Sequence, residues 1–285
     1  MNVWVEAARP RTLPAAVAPV LVGTAAAETF IGWRFLAAMI VGLAVQVAVN
    51  YANDYFDGTR GIDSAARTGP RRAVATGLVA PARMKLAVGA ALGVAAGAGL
   101  ALAVAVGWEL LVVGALCFAA ALGYSGGPRP YASLGLGELF VFVFFGLVAT
   151  IGSAYVQDEV IRTAALIAAF PMGMLATAIL VANNLRDADT DERAGKRTLA
   201  VRIGPQRTRT LYRVCVLGAY PFLALLAGLA DSAWAFLPFV TLPLVRILDR
   251  QVTSTEPGQQ VRALAGTARL ELLFGALLAI GLWIS

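Results

Sequence analysis

The sequence predicts an all-α protein that crosses a membrane several times, and its composition gives the first reason. Of its 285 residues, 59% are hydrophobic and only 14% are charged, and the mean hydropathy is +0.74. Soluble domains of this size carry more charge, so this composition favours the bilayer as the solvent. Long apolar stretches and a one-sided distribution of basic residues point the same way.

The apolar stretches are each about 17–22 residues long, which is enough to cross a hydrocarbon core roughly 30 Å thick. They predict nine transmembrane helices in a single domain that covers residues 1–285. The predicted spans lie near residues 12–28, 35–53, 86–106, 108–125, 134–155, 164–183, 208–229, 232–249 and 264–284.

The basic residues predict the orientation. If the N-terminus is cytoplasmic, all Lys and Arg residues except Arg34 and Arg162 fall on the cytoplasmic side, as the positive-inside rule requires. We therefore expect a multi-pass protein of the plasma membrane with its C-terminus outside, because nine is odd. The net charge of +6 does not indicate a nucleic-acid partner, since orientation explains basic residues in short loops. No oligomeric state is indicated.

The residue types that are missing narrow the chemistry. The chain has no histidine, which excludes Ser-His-Asp and Cys-His triads and histidine-bound metals. Cys117 and Cys215 lie far apart in or beside apolar spans, so we expect two buried thiols rather than a disulfide. Acid and base roles are left to Asp, Glu, Lys, Tyr or water.

Two acidic segments stand where long apolar stretches end. Asp54 and Asp57 are three residues apart, and Asp187 and Asp191 are four apart, so each pair shares one face of a continuing helix. Carboxylates at the C-terminal end of a helix oppose its dipole and need a counter-charge. Hard oxygen ligands favour Mg²⁺, which also accepts phosphate oxygens. The sequence thus predicts a site for a metal-bound diphosphate.

Amides and basic residues surround these acids in the sequence. Guanidinium groups match phosphate oxygens two at a time, although membrane topology alone would also explain the positive charges. The predicted diphosphate-binding residues are Asn50, Asn53, Arg60, Arg71, Arg72, Asn183, Asn184, Lys196 and Arg197.

The two segments also resemble each other. Asn53-Asp54-x-x-Asp57 aligns with Asn183-Asn184-x-x-Asp187, and a glycine and a basic pair follow each. Such symmetry is typical of a duplicated membrane unit whose two copies face one site. It predicts pseudo-repeat halves near residues 1–130 and 131–285, with a chance likeness between two short loops as the alternative.

Together these motifs resemble the UbiA superfamily of intramembrane aromatic prenyltransferases. Its members carry Asn-Asp-x-x-Asp-x-x-x-Asp after the second helix and Asp-x-x-x-Asp after the sixth; here Asp63 lies two positions later than that pattern. The resemblance implies nine helices around a central cavity, in which Mg²⁺ joins a polyprenyl diphosphate to the protein. The implied metal ligands are Asp54, Asp57, Asp63, Asp187 and Asp191.

Three further segments resemble the branch of the superfamily that uses 1,4-dihydroxy-2-naphthoate: residues 9–14, 124–131 and 183–196. This implies transfer of a polyprenyl group to the naphthoate with loss of CO₂ and diphosphate, giving demethylmenaquinol for menaquinone biosynthesis. Asp54, Asp57, Asp187 and Asp191 would then be catalytic, and Tyr124 would stabilise an allylic cation or hold the acceptor. The implied acceptor-binding residues are Arg9, Arg11 and Arg129. Another aromatic acceptor, or a membrane transporter, is the alternative.

Overall fold

A computed structural model describes residues 2–62 and 72–285, and these ranges contain helices and no strand. The α-helices are α1 (Val3–Ala7), α2 (Pro14–Ala25), α3 (Gly32–Thr59), α4 (Pro81–Ala105), α5 (Glu109–Gly123), α6 (Gly137–Val141), α7 (Ala149–Asp158), α8 (Thr163–Arg193), α9 (Leu199–Gly218), α10 (Pro221–Ala230), α11 (Leu242–Thr253) and α12 (Pro257–Trp283). Pro10–Thr12 and Ala233–Thr241 form 3-10 helices, and the π-helix Phe142–Val148 joins α6 to α7.

Within the described ranges, six helices are long and apolar enough to cross a membrane. The chain is therefore an all-helical, multi-pass membrane protein, as predicted. The six are Gly32–Thr59, Pro81–Ala105, Gly137–Asp158, Thr163–Arg193, Leu199–Ala230 and Gly258–Trp283.

The other three predicted spans coincide with shorter elements. The spans 12–28 and 108–125 correspond to α2 and α5, which are apolar helices of 12 and 15 residues. The span 232–249 is divided between a 3-10 helix and α11. Pro238 and Pro243 explain this division, because proline cannot donate to a helical hydrogen bond and is best accommodated where a helix starts.

Helix α8 is the central element of the packing. It contacts α9, α12, α7 and the π-helix. Two-thirds of the residues in its apolar stretch are buried. Its residues Met172, Leu175 and Ala178 are fully buried with Leu223 and Phe274 in the largest apolar cluster. In contrast, α4 and α5 present exposed Leu, Val and Trp side chains, which is the surface that lipid tails would cover.

Both acidic motifs lie on helices rather than in loops. Helix α3 continues through Asp54 and Asp57 to Thr59, and α8 continues through Asp187 and Asp191 to Arg193. Each pair therefore shares one helix face, as its spacing predicted. This brings four carboxylates to the ends of two long helices, the position where the helix dipole opposes them.

A close helix crossing fixes the wall beside the π-helix. A Cβ atom placed on Gly146 would lie 2.3 Å from the Cα atom of Gly173 on α8. The two backbones can approach this closely only because neither residue has a side chain.

We predict that Gly146→Ala destabilises the protein in spite of alanine's higher helix propensity. The new methyl group must push α8 away, at a cost of about 1–3 kcal/mol, which exceeds the gain of about 1 kcal/mol from propensity. Thermal unfolding in detergent would show a lower Tm. The matched control is Gly97→Ala on α4, where a Cβ atom meets nothing within 4 Å, and an equal Tm change in both variants would contradict the prediction.

Candidate active site

Four carboxylates lie almost fully buried at the ends of α3 and α8. Asp57 and Asp187 are each 1% exposed, and Asp54 and Asp191 are each 2% exposed. A buried carboxylate without a partner is costly, so each must have hydrogen bonds or a cation. Their partners define what the site can bind.

Asp57 is paired with Lys196, which comes from the segment after α8. The Lys196 Nζ atom lies 2.7 Å from Asp57 Oδ2, and both side chains are buried. Gly195 makes this approach possible, because its φ of +75° lets the chain turn sharply after the helix. The pair therefore joins α3 to the segment that follows the second acidic motif. Lys196 was predicted to bind diphosphate, and its pairing with Asp57 was not predicted.

Arg186 holds the second motif. Its Nε and Nη2 atoms donate to the two oxygens of Asp187 at 2.8 and 2.7 Å, and Nη2 also donates to Asn183 Oδ1 at 2.8 Å. Such a two-pronged ion pair fixes the carboxylate in one orientation. Arg186 was not among the predicted site residues, although its place beside Asp187 in the motif was a signal that could have identified it.

Asp54 holds the segment that follows the first motif. Its two oxygens accept hydrogen bonds from the backbone N–H groups of Ala73 and Val74, both at 3.0 Å. A carboxylate that accepts two backbone N–H bonds can hold a loop in place across a helix end. Arg72 precedes this contact and is also buried, so the structure brings it to the edge of the site.

Asn53 links the first motif to the N-terminal segment. The hydrogen-bond partners of Asn53 determine which way its side-chain amide faces. In that orientation the amide nitrogen donates to Asp57 Oδ2 at 2.7 Å and to Ser125 Oγ at 3.0 Å. The amide oxygen accepts from Arg9 Nη1 at 3.2 Å. Arg9 has a left-handed backbone with φ of 52°, which is uncommon outside glycine. This backbone turns the chain so that Arg9 lines the central cavity.

Several other predicted residues face elsewhere. Arg60 donates to the carbonyl oxygens of Ser125 and Gly127 at 2.7 and 2.6 Å, so it fixes a loop rather than facing the acids. Asn50 donates to the Ala8 carbonyl at 2.9 Å while lining the cavity. The side chains of Arg11, Arg129 and Arg197 are exposed and do not line the cavity. Asp63 and Arg71 lie outside the described residues.

An apolar cavity of about 500 Å³ extends from this cluster. It runs along α3 from Asn53 to Ala38, a distance of about 22 Å at the rise of an α-helix. Arg9, Asn50, Asn53 and Asn183 are its polar lining near the acids, and the rest is mostly aliphatic and aromatic. The arrangement can hold a molecule with a charged head and a long apolar tail.

Aromatic rings line one wall of the cavity. Tyr124 meets Tyr131 edge to face at 5.5 Å, Tyr131 stacks on Phe140 at 4.0 Å, and Phe140 continues to Phe144 on the π-helix. Tyr131 donates to the Ala120 carbonyl at 2.8 Å, and burial raises the pKa of its phenol. Ring faces attract cations most strongly where water is excluded, so this wall suits a cationic intermediate.

Glu138 is a buried acid that the sequence interpretation missed. It is 6% exposed, and its Oε1 atom accepts a hydrogen bond from Asn184 Nδ2 at 2.9 Å. An acid just inside an apolar span is a functional signal in membrane proteins, and this signal could have identified it.

Comparisons with known proteins identify the family. Residues 16–282 match the model of the UbiA prenyltransferase family. The chain is 43% identical to the 1,4-dihydroxy-2-naphthoate octaprenyltransferase of Mycobacterium tuberculosis, over 98% of this chain and 95% of that protein. It is 35% identical to the Escherichia coli protein of the same name, over 99% and 95%.

Solved structures share the fold at low sequence identity. A UbiA homolog from Aeropyrum pernix has a TM-score of 0.72 at 14% identity and covers 98% of both chains. A UbiA homolog from Archaeoglobus fulgidus bound to GPP and Mg²⁺ has a TM-score of 0.66 at 14% identity, over 97% of this chain and 99% of that one. The family model and the bacterial relatives cover nearly the whole sequence, and the chain therefore belongs to the UbiA prenyltransferase family.

Proposed function

We propose that the protein transfers a polyprenyl group from polyprenyl diphosphate to 1,4-dihydroxy-2-naphthoate, giving demethylmenaquinol for menaquinone biosynthesis. The observation that carries the proposal is a buried cluster of acids and cations at one end of a long apolar cavity. Relatives named for this reaction, at 43% and 35% identity over nearly the full length, support the choice of acceptor.

Mg²⁺ is the proposed cofactor. No group of three or more Cys, His, Asp or Glu side chains that could hold a metal by itself occurs in residues 2–62 and 72–285. The buried carboxylates nevertheless fit a hard ion whose remaining ligands come from a diphosphate. Asp57, Asp187 and Asp191 are the residues that would hold it, and Asp63 is proposed with them. Asp54, which was also predicted as a ligand, instead uses both oxygens to accept backbone N–H bonds in this structure. When bound, Mg²⁺ would neutralise the diphosphate and make it a better leaving group.

The cations near the acids are proposed to receive the diphosphate. Lys196 and Arg186 each neutralise one carboxylate. With Mg²⁺ bound by these carboxylates, both cations would be available to phosphate oxygens. Arg72 is buried close by and can act with them. The apolar cavity takes the polyprenyl chain and keeps water from the allylic cation.

The acceptor is proposed to lie between Arg9 and Tyr124. Both line the cavity, and the guanidinium group of Arg9 suits the naphthoate carboxylate. C1 of the polyprenyl chain forms a bond to the ring carbon that carries this carboxylate. The bond between that C1 and the diphosphate oxygen breaks. The electron pair of the ring–carboxylate bond then returns to the ring as CO₂ leaves.

We further propose nine spans and a single domain with pseudo-repeat halves. The nine spans would be the six long helices together with three further elements: α2, α5 and the segment 233–253. This places the N-terminus and the active site in the cytoplasm of a plasma-membrane protein. The ion pairs Arg34–Glu159 and Arg162–Asp158 would then lie outside, and they support this orientation because they neutralise the two basic residues on that side.

Cysteine labelling tests this orientation. In a variant with Cys117 and Cys215 replaced, we expect Thr76→Cys to react only after the membrane is opened and Ser285→Cys to react in intact cells with a reagent that cannot cross it. Both positions are exposed, so burial does not prevent the reaction. Labelling of residue 76 from outside would contradict the proposed orientation.

The fate of the carboxyl carbon tests the acceptor. With 1,4-dihydroxy-2-naphthoate labelled at this carbon, purified protein, Mg²⁺ and a polyprenyl diphosphate should release labelled CO₂ in a one-to-one ratio with prenylated product. The control acceptor is carboxyl-labelled 4-hydroxybenzoate, which carries a carboxyl group that need not leave. Label retained in the prenylated naphthoate, or turnover of the control alone, would contradict the proposal.

A further inference from the structure

Glu138 has one carboxylate oxygen that no group satisfies. Oε1 accepts from Asn184, whereas Oε2 is buried and has no hydrogen-bond partner within residues 2–62 and 72–285. Leaving a buried carboxylate oxygen unsatisfied costs free energy. A donor that reaches Oε2 when a ligand binds would recover that cost.

Tyr124 is a candidate donor. Its ring packs on the backbone of Gly137, with Cε2 3.5 Å from the position of a Cβ atom there. Gly137 immediately precedes Glu138, so the Tyr124 ring lies at the start of the helix that carries Glu138. In the part of the chain that the structure describes, the Tyr124 hydroxyl makes no hydrogen bond, although the residue lines the cavity. A buried acceptor without a partner and a phenol without a hydrogen bond are thus carried by neighbouring parts of the cavity wall.

Asn184 gives Glu138 a second connection to the site. It lies one turn before Asp187 on α8 and is itself 5% exposed. The hydrogen bond to Glu138 Oε1 fixes its amide, and with it the end of α8 that carries the second acidic motif. Glu138 therefore contacts the helix of the second acidic motif through Asn184, while the start of its own helix packs against the ring of Tyr124.

We propose that Glu138 is a positioning residue that acts on the acceptor through Tyr124. With an acceptor bound, the Tyr124 hydroxyl donates to Glu138 Oε2 and its oxygen accepts a hydrogen bond from a phenolic hydroxyl of the acceptor. A chain of hydrogen bonds that ends in a buried carboxylate is polarised along its length. Electron density is thereby shifted into the acceptor ring, which makes it a better nucleophile toward the allylic cation. The proposal rests on the proposed function, since it requires a phenolic acceptor.

Steady-state kinetics of Glu138→Gln test it. Glutamine keeps the size of the side chain and can still accept from Asn184, but it removes the negative charge that Tyr124 faces. We expect kcat to fall about 10- to 100-fold, the loss of one charged hydrogen bond, while KM for polyprenyl diphosphate changes less than about threefold. The matched control is Glu271→Gln on α12, a second buried glutamate with unpartnered oxygens. Within the described residues it makes no hydrogen bond to either acidic motif or to Tyr124, so kcat should stay within about threefold of the wild type.

A double variant separates this role from a structural one. Because Glu138 acts through Tyr124, Glu138→Gln combined with Tyr124→Phe should be no slower than the slower single variant, within about threefold. Losses that multiply, or a kcat of Glu138→Gln close to that of the wild type, would overturn the proposal. If Glu138→Gln does not fold, Glu138→Asp is used, which keeps the charge but withdraws it by one methylene group, so kcat should again fall. Failure of both variants to fold would overturn the proposal by assigning the residue to stability alone.

Assays with two acceptors test the role of Glu138 separately from the identity of the natural acceptor. The wild type is assayed with 1,4-dihydroxy-2-naphthoate and with 4-hydroxybenzoate, both of which carry a phenolic hydroxyl, and the variants are compared on the one that turns over. Turnover of 4-hydroxybenzoate alone would reject the proposed acceptor while the Glu138 comparison is still measured.

Discussion

The structure depends on one constraint, which is the burial of carboxylates at the C-terminal ends of two membrane helices. Neither the helix dipole nor the apolar surroundings favour an anion there. Specific groups stabilise the buried carboxylates whose partners are described. Lys196 pairs with Asp57, Arg186 pairs with Asp187, and two backbone N–H groups donate to Asp54. Lys196 and the two N–H groups come from segments outside the two helices, whereas Arg186 lies on α8 itself.

The same contacts organise the cytoplasmic end of the protein. The Asp54 hydrogen bonds fix the segment at residues 73–74, and Lys196 ties the turn after α8 to α3. Asn53 extends the network to Ser125 and Arg9. One ionic cluster therefore both closes the polar end of the cavity and presents the charges that a diphosphate needs, so we expect substitutions in it to affect loop order and ligand binding together.

Much of this was predictable from the sequence because membrane proteins obey simple rules. Apolar stretches predicted the helical membrane class, and the spacing of Asp54 with Asp57 and of Asp187 with Asp191 predicted two shared helix faces. The helix boundaries in the segment 232–249 were less predictable. Its prolines divide the segment into two helices, whereas its hydropathy is that of one continuous span. Partner choice was not predictable either: Arg60 faces two carbonyl oxygens, and Glu138 meets Asn184 from a distant helix. Such contacts depend on three-dimensional packing, which residue type and spacing do not encode.

The central claim is that the two acidic helices bind one metal–diphosphate together, and the affinity for a non-cleavable polyprenyl thiodiphosphate tests it most directly. Titrations with and without Mg²⁺ would compare the wild type with Asp57→Asn and Asp187→Asn, each checked for an unchanged Tm. We expect Mg²⁺ to strengthen binding by about tenfold or more, worth about 1.4 kcal/mol, and each substitution to remove that gain. A gain from Mg²⁺ that survives in both variants, or binding of the wild type that does not respond to Mg²⁺, would contradict the claim.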